Sequence, residues 1–193
     1  MVEKGKFIVI YGANNLGKTE QANRLIARLK EEGIKANYLK YPVYDLEPTG
    51  PIINAALRRG LELSDLELQK QFAENRRDFE PQLKRVLGED VWVVAEDYKG
   101  TGIAWGITQG ASLDEMEEIN RDLLENNLEI LLDGQRFASG VEKGHRYEDY
   151  ANWQKAREVH LMLAERYGWK VVNANQAPNK VADYIWEIVE KIL

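Results

Sequence analysis

Phe7-Ile8-Val9-Ile10, followed closely by Gly12-Ala13-Asn14-Asn15-Leu16-Gly17-Lys18-Thr19, is the stretch from which the rest of the chain can be read. The apolar run has strand length. Beyond the loop, Ala22, Leu25, Ile26 and Leu29 recur at the spacing of one helix face. Strand, G-x-x-x-x-G-K-[ST] and helix in that order make a phosphate-binding loop. The glycines let the backbone curl around an anion, so that amide N–H groups from Asn15, Leu16 and Gly17 and the helix start point at it. Lys18 is placed to reach the terminal phosphates, and the Thr19 hydroxyl to ligate Mg²⁺. The chain is thus expected to bind a nucleoside triphosphate.

Outward from this loop, strand and helix patterns alternate, which predicts an α/β fold: a doubly wound parallel five-stranded sheet with helices on both faces. Lys35–Tyr41 reads as the second strand, stopping at Pro42; a short helix follows from about Pro51 to Arg59. Ser64 to Leu87 is a long charged amphipathic stretch that Pro81 is expected to kink or split. Val91–Ala95 is a strand ending at Glu96-Asp97. Residues 112–126 read as a helix capped at Ser112, Leu128–Asp133 as a strand, and Glu148 to Tyr167 as a helix. A strand at Trp169–Asn173 and a helix from Pro178 to Leu193 close the chain. The stretch 134–148 breaks the pattern with Gly134, Gly140 and Gly144 among Arg136, Lys143 and Arg146, and predicts a mobile basic lid.

Composition narrows the function. The 193 residues suit one domain, 1–193, and a net charge of −6 without a basic run argues against a nucleic-acid footprint. There is no cysteine, so disulfides and thiol chemistry are excluded. No leader pattern or bilayer-length apolar run occurs, and a cytoplasmic protein without membrane attachment is expected. A guanine-reading Asn-Lys-x-Asp element is absent and the chain is short for a motor ATPase. A phosphotransferase, which needs a phosphate cradle, Mg²⁺ and closing cations, is what remains. At the carboxyl end of the third strand, Glu96 and Asp97 lie where ligands bind in such sheets and can hold a Mg²⁺-bound water. The histidines, His145 and His160, read as surface or helix residues rather than ligands or bases.

These residues carry a resemblance to the thymidylate kinase family of nucleoside monophosphate kinases. Tyr41-Pro42-Val43-Tyr44 resembles its Phe-Pro-x-Arg turn, Phe72-Ala73-Glu74-Asn75-Arg76 its Phe-x-x-Asn-Arg stretch, and Glu96-Asp97-Tyr98 stands at its Asp-Arg-Tyr position. Thr101-Gly102-Ile103-Ala104-Trp105 resembles its Ser-x-x-Ala-aromatic segment, and Arg146-Tyr147-Glu148 the end of its lid. The resemblance implies ATP as donor, Mg²⁺, an acceptor such as dTMP, and a homodimer through the second and third helices. It implies that Phe72 stacks on the acceptor's pyrimidine, Arg76 bonds the base edge, and Trp105 packs under the sugar. Asn14, Pro42, Tyr44, Asn75, Tyr98, Thr101 and Gly102 complete the acceptor set, and Asn173, Ala174 and Asn175 lie against adenine. Three positions depart from the family pattern: Asn14 replaces an acidic residue, and Tyr44 and Asp97 replace arginines that serve the acceptor phosphate. A deoxynucleoside kinase, and a P-loop protein with weak turnover, stand as alternatives. With no basic side chain among Gly12–Gly17, the transferring cation is expected from the lid: Arg136, Lys143 or Arg146.

Overall fold

The computed structural model describes residues 5–138, 146 and 150–193. Five strands, β1 (Phe7–Tyr11), β2 (Ala36–Lys40), β3 (Trp92–Glu96), β4 (Leu128–Asp133) and β5 (Lys170–Asn173), form one sheet in the order β2-β3-β1-β4-β5, with every pair parallel. Seven helices connect and cover them: α1 (Lys18–Glu31), α2 (Thr49–Arg58), α3 (Asp65–Gly88), α4 (Lys99–Thr108), α5 (Leu113–Ile119), α6 (Tyr150–Tyr167) and α7 (Pro178–Val189).

Because successive side chains leave a strand on opposite faces, the central strand supplies two cores. Ile8 and Ile10 pack with Leu25, Ile26 and Leu29 of α1 and Ile185, Trp186 and Val189 of α7. Phe7, Val9 and Tyr11 face the other way, onto Leu83 and Leu87 of α3, Ile103 and Ala104 of α4, Met116 of α5 and Leu163 of α6. All five residues of β1 are buried, each large apolar side chain contributing about 1.5–3 kcal/mol. A smaller cluster joins Ile53, Ala56 and Leu57 of α2 to Leu68 of α3 and Trp105 of α4.

Two sequence expectations change. Pro81 neither splits nor ends α3, which runs 24 residues through it. The ring is exposed, so the lost backbone bond opens to solvent while Ala73, Arg76, Leu83 and Leu87 hold both halves against the protein. The helix after Ser112 stops at Ile119, where the Asn120 side chain and backbone both bond the Met116 carbonyl, at 2.9 and 3.2 Å. Residues 99–108, to which the sequence reading assigned no element, form α4. Three of its glycines allow close approach on different sides, alongside the packed Ile103, Ala104 and Trp105. A Cβ on Gly100 would lie 2.7 Å from the Trp169 ring, one on Gly102 2.9 Å from both Arg76 Nη atoms, and one on Gly106 would collide with Met116 Sδ.

Candidate active site

The register of the sheet sets the centre of the site. Ile10 of β1 pairs with Glu96 of β3, and the Asp97 N–H donates to the Ile10 carbonyl at 3.2 Å. The loop leaving β1 and the carboxylates ending β3 therefore emerge side by side. Gly12 is forced by a close approach, since a Cβ there would sit 2.7 Å from the Leu132 carbonyl oxygen; Gly17, at φ 80°, is the left-handed residue from which α1 starts. That start directs N–H groups and the positive end of the helix dipole at the loop's concave side. Lys18 Nζ lies back along the loop, donating to the Gly12 and Ala13 carbonyls at 2.8 and 3.2 Å, 3.8 Å from Asp97 Oδ1.

Glu96 is the hub. Its Oε2 accepts from Thr19 Oγ1 at 2.5 Å and from the Tyr38 hydroxyl at 2.6 Å, and its Oε1 pairs with Lys40 Nζ at 3.0 Å. Burial pushes its carboxyl up, but Lys18, Lys40 and the two hydroxyls outweigh that and hold it below the usual range. Asp97, in the left-handed region at φ 65°, accepts from Thr101 Oγ1 at 2.8 Å. Burial raises its carboxyl, Lys18 lowers it and the nearby Glu96 adds to the rise. Thr19 and Glu96 thus converge hard oxygen donors beside a phosphate cradle, with Asp97 close by. No cluster of three or more His, Cys, Asp or Glu that could hold a metal occurs among the described residues. The arrangement fits Mg²⁺, which takes a hydroxyl and one or two carboxylates, leaving its other positions to phosphates and water.

A cleft of about 520 Å³ runs from this centre. Asn14, Asn15, Leu16, Gly17, Lys18, Thr19, Glu96 and Asp97 line one end. Pro42, Tyr44, Phe72, Arg76, Thr101, Gly102 and Trp105 line the other. The phosphate-loop residues and most of the expected acceptor residues therefore share one cavity. Phe72 and Trp105 offer the aromatic surface, backed by Leu57 and Leu68. Arg76 is 4 % exposed; its Nη1 donates to Asn120 Oδ1 at 3.0 Å, and its buried Nε has no hydrogen-bond partner. A buried guanidinium that lines the cleft and is only partly satisfied by the protein suits a ligand acceptor such as a carbonyl.

Two expected acceptor residues are not at the surface of the cleft. Tyr98 is fully buried, edge-on to Phe7 at 5.0 Å, with its hydroxyl donating to the Leu124 carbonyl at 3.2 Å. Its aromatic bulk fills the core, a correction to its reading as a binding residue. Asn75 is likewise buried: its Oδ1 accepts from the Val43 N–H at 2.8 Å and its Nδ2 donates to the Val43 carbonyl and Thr49 Oγ1, both at 3.0 Å. It fixes the turn that carries Pro42 and Tyr44, and so acts on the cleft from behind.

The segment after β4 comes down on the phosphate loop. The Phe137 N–H donates to the Asn15 carbonyl at 3.0 Å, and Asn175 brackets Gln135, accepting from its N–H and donating to its carbonyl at 2.9 Å. Arg136 lies between these anchors. Asn173, Ala174 and Asn175 adjoin the same segment, Ala174 N–H donating to the Asp133 carbonyl at 2.7 Å and Asn173 Oδ1 accepting from Asn175 N–H at 2.9 Å. Arg146 is elsewhere: its Nη1 donates to the Leu63 carbonyl at 3.0 Å and its Nη2 to Asp65 Oδ1 at 2.8 Å, at the junction of α2 and α3. Arg146 is thus held away from the phosphate loop, and Arg136 is the described cation of the expected lid that adjoins the loop. Lys143, and most of the expected lid, lie outside the described residues.

Lys40, Arg58, Gln69 and Phe137 also line the cleft and escaped the sequence reading. Lys40 carried a usable signal, a basic residue ending a strand of a doubly wound sheet. Arg58, on a short helix next to Arg59, carried none. Among the described residues no helix is long and apolar enough to cross a membrane.

Comparison with known proteins agrees with this geometry. The family model described as thymidylate kinase matches residues 10–185. The human thymidylate kinase is 28 % identical over 189 residues, covering 94 % of this chain and 88 % of its own length. The zebrafish (Danio rerio) enzyme is 26 % identical over 196 residues, covering 98 % and 92 %. A solved structure of thymidylate kinase from Candida albicans superposes with a TM-score of 0.85 at 23 % identity, over 97 % of this chain and 92 % of that one.

Proposed function

The chain belongs to the thymidylate kinase family and is a kinase, and on that premise we propose that its cleft phosphorylates dTMP to dTDP with ATP as donor. The observation that carries the reading is the single cavity in which the phosphate loop meets an aromatic and guanidinium-lined wall. The triphosphate of ATP lies in Gly12–Thr19, where the loop amides and the start of α1 receive it and Lys18 leaves its loop carbonyls for the phosphates. Adenine is bounded by Asn173, Ala174 and Asn175. The thymine base stacks on Phe72, its carbonyl satisfies Arg76, and Trp105 and Gly102 floor the sugar. Asn14 bonds the sugar hydroxyl.

Thr19 and Glu96, with Asp97 through water, would hold Mg²⁺, whose charge neutralises the phosphate oxygens when bound. Phosphoryl transfer asks the protein mainly for alignment and charge stabilisation. Arg136, set against the loop by the anchors on Gln135 and Phe137, supplies the cation for the transferring group. Phe137 over Gly17 helps exclude water. The reading includes a cytoplasmic homodimer through α2 and α3, as the family resemblance implies. Unphosphorylated nucleosides are not the favoured acceptors.

The test is coupled ADP release with ATP and Mg²⁺ against dTMP, dUMP, dCMP, AMP, GMP and the matching nucleosides. Selective turnover of dTMP is expected; turnover of thymidine but not dTMP would overturn the assignment, and light scattering of the purified chain reads its oligomeric mass.

A further inference from the structure

The cleft must accept a phosphorylated acceptor next to two carboxylates, Glu96 and Asp97, which line the same cavity. A nucleoside monophosphate carries close to two negative charges at neutral pH, so an uncompensated phosphate would be repelled there. Of the basic side chains lining the cleft, Lys18 serves the phosphate loop, and Lys40 Nζ is engaged at 3.0 Å by the carboxylate of Glu96. Arg76 is sunk beneath Gly102 and bonded to Asn120 on the base side. Arg146, although not a lining residue, is also committed, to Asp65 and the Leu63 carbonyl.

Arg58 lines the cleft from the last turn of α2, exposed at the rim and itself held in place. Its guanidinium is aimed: Nη1 donates to the Tyr44 hydroxyl at 2.9 Å, with a longer contact to Asn54 Oδ1 at 3.4 Å, and Cζ stands 4.9 Å from the Tyr44 ring centre. Tyr44 and Arg58 both line the cavity. Tyr44 itself hangs from the turn that Asn75 clamps through Val43. A planar guanidinium held by an aromatic face and a hydroxyl is an arrangement suited to binding a phosphate. We propose that Arg58, positioned by Tyr44, is the residue that binds the acceptor's phosphate in this chain, so that a tyrosine from the turn and an arginine from α2 together do the work of one strand-end cation. This rests on the reading of the acceptor as a nucleoside monophosphate.

The experiment measures dTMP and thymidine binding by calorimetry, and KM values for dTMP and ATP, in the full chain and in Arg58→Ala, Tyr44→Phe and Arg58→Ala/Tyr44→Arg. The unmodified protein comes first: preference for dTMP over thymidine tests the functional reading, and its absence overturns that reading before any variant is compared. Given the preference, Arg58→Ala should raise Kd and KM for dTMP at least tenfold, leave thymidine binding within twofold, and leave KM for ATP within threefold. Tyr44→Phe, which keeps the ring and loses the hydroxyl, should give an intermediate rise. The double variant, which returns a guanidinium to the turn, should recover at least part of the preference. Equal weakening of dTMP and thymidine, or an unchanged dTMP affinity, would overturn the assignment.

Discussion

Replacing Asn120 with alanine asks how far the acceptor site depends on a residue that never reaches it. Asn120 is buried at the end of α5, and its amide cannot flip at no cost, because Nδ2 donates to the Met116 carbonyl at 2.9 Å. That leaves Oδ1 facing Arg76 Nη1 at 3.0 Å. Alanine removes both bonds. A hydrogen bond to a charged group contributes about 1.5–3 kcal/mol and a neutral one about 0.5–1.5 kcal/mol. With some relief from entering water, the expected loss is about 3 kcal/mol. For a domain of this size, about 2–4 °C accompanies each kcal/mol, so Tm should fall roughly 6–12 °C. The guanidinium would also lose its fixed direction, and a misdirected bond to the base should raise KM for dTMP about tenfold, equivalent to ~1.4 kcal/mol. Thermal unfolding gives the first quantity and steady-state kinetics the second. A Tm within 2 °C of the parent together with an unchanged KM would refute the reasoning, since Arg76 would then be held without Asn120.

Three further outcomes are expected. In Trp153→Phe the buried indole N–H that donates to the Asn14 carbonyl at 2.7 Å is lost, costing about 1 kcal/mol and raising KM for ATP severalfold; an unchanged KM would show that the phosphate loop keeps its shape without α6. Gly106→Ala drives a methyl group into Met116 and should destabilise by about 1–3 kcal/mol, read by denaturant titration; no loss would mean that α4 can lift away from α5. His160 is 1 % exposed, its Nδ1 donates to the Ala156 carbonyl at 2.7 Å, and its Nε2 is unpartnered; burial, partly opposed by that bond, holds its pKa near 4. Because the folded value lies below the unfolded one, stability is full above about pH 6.5 and declines as pH falls toward 4, by about 2 kcal/mol between pH 7 and pH 5. His160→Leu should lack that part of the pH dependence; urea titrations with the same pH slope as the parent would refute it.

The fold was legible where pattern and chemistry coincide. Phe7–Ile10, the phosphate loop and the periodic Ala22, Leu25, Ile26 and Leu29 announce strand, loop and helix by three separate criteria, and the order of the remaining elements followed. Glu96 and Asp97 could be placed because ligands gather at strand ends. What failed was contact-dependent. Gly100, Gly102 and Gly106 disclosed no element in the sequence, yet at each a neighbouring side chain occupies the space of a Cβ. Tyr98 and Asn75 belong to motifs that reach the site, but one is packed under it and the other braces it. Tyr44 with Arg58, and Arg76 with Asn120, are pairs brought together from separate elements, and no spacing along the chain discloses them.

The crowded glycines of α4 have an evolutionary consequence. At Gly100, Gly102 and Gly106 even a methyl group strikes Trp169 and Tyr11, Arg76 or Met116 respectively. The cavity floor is therefore a mould that single substitutions cannot reshape without damaging what surrounds it. The opposite wall, formed by α2 and the turn after β2, is half-open and carries Tyr44 and Arg58. Drift in acceptor preference has more room there, where Tyr44 and Arg58 stand on the open side of the cleft.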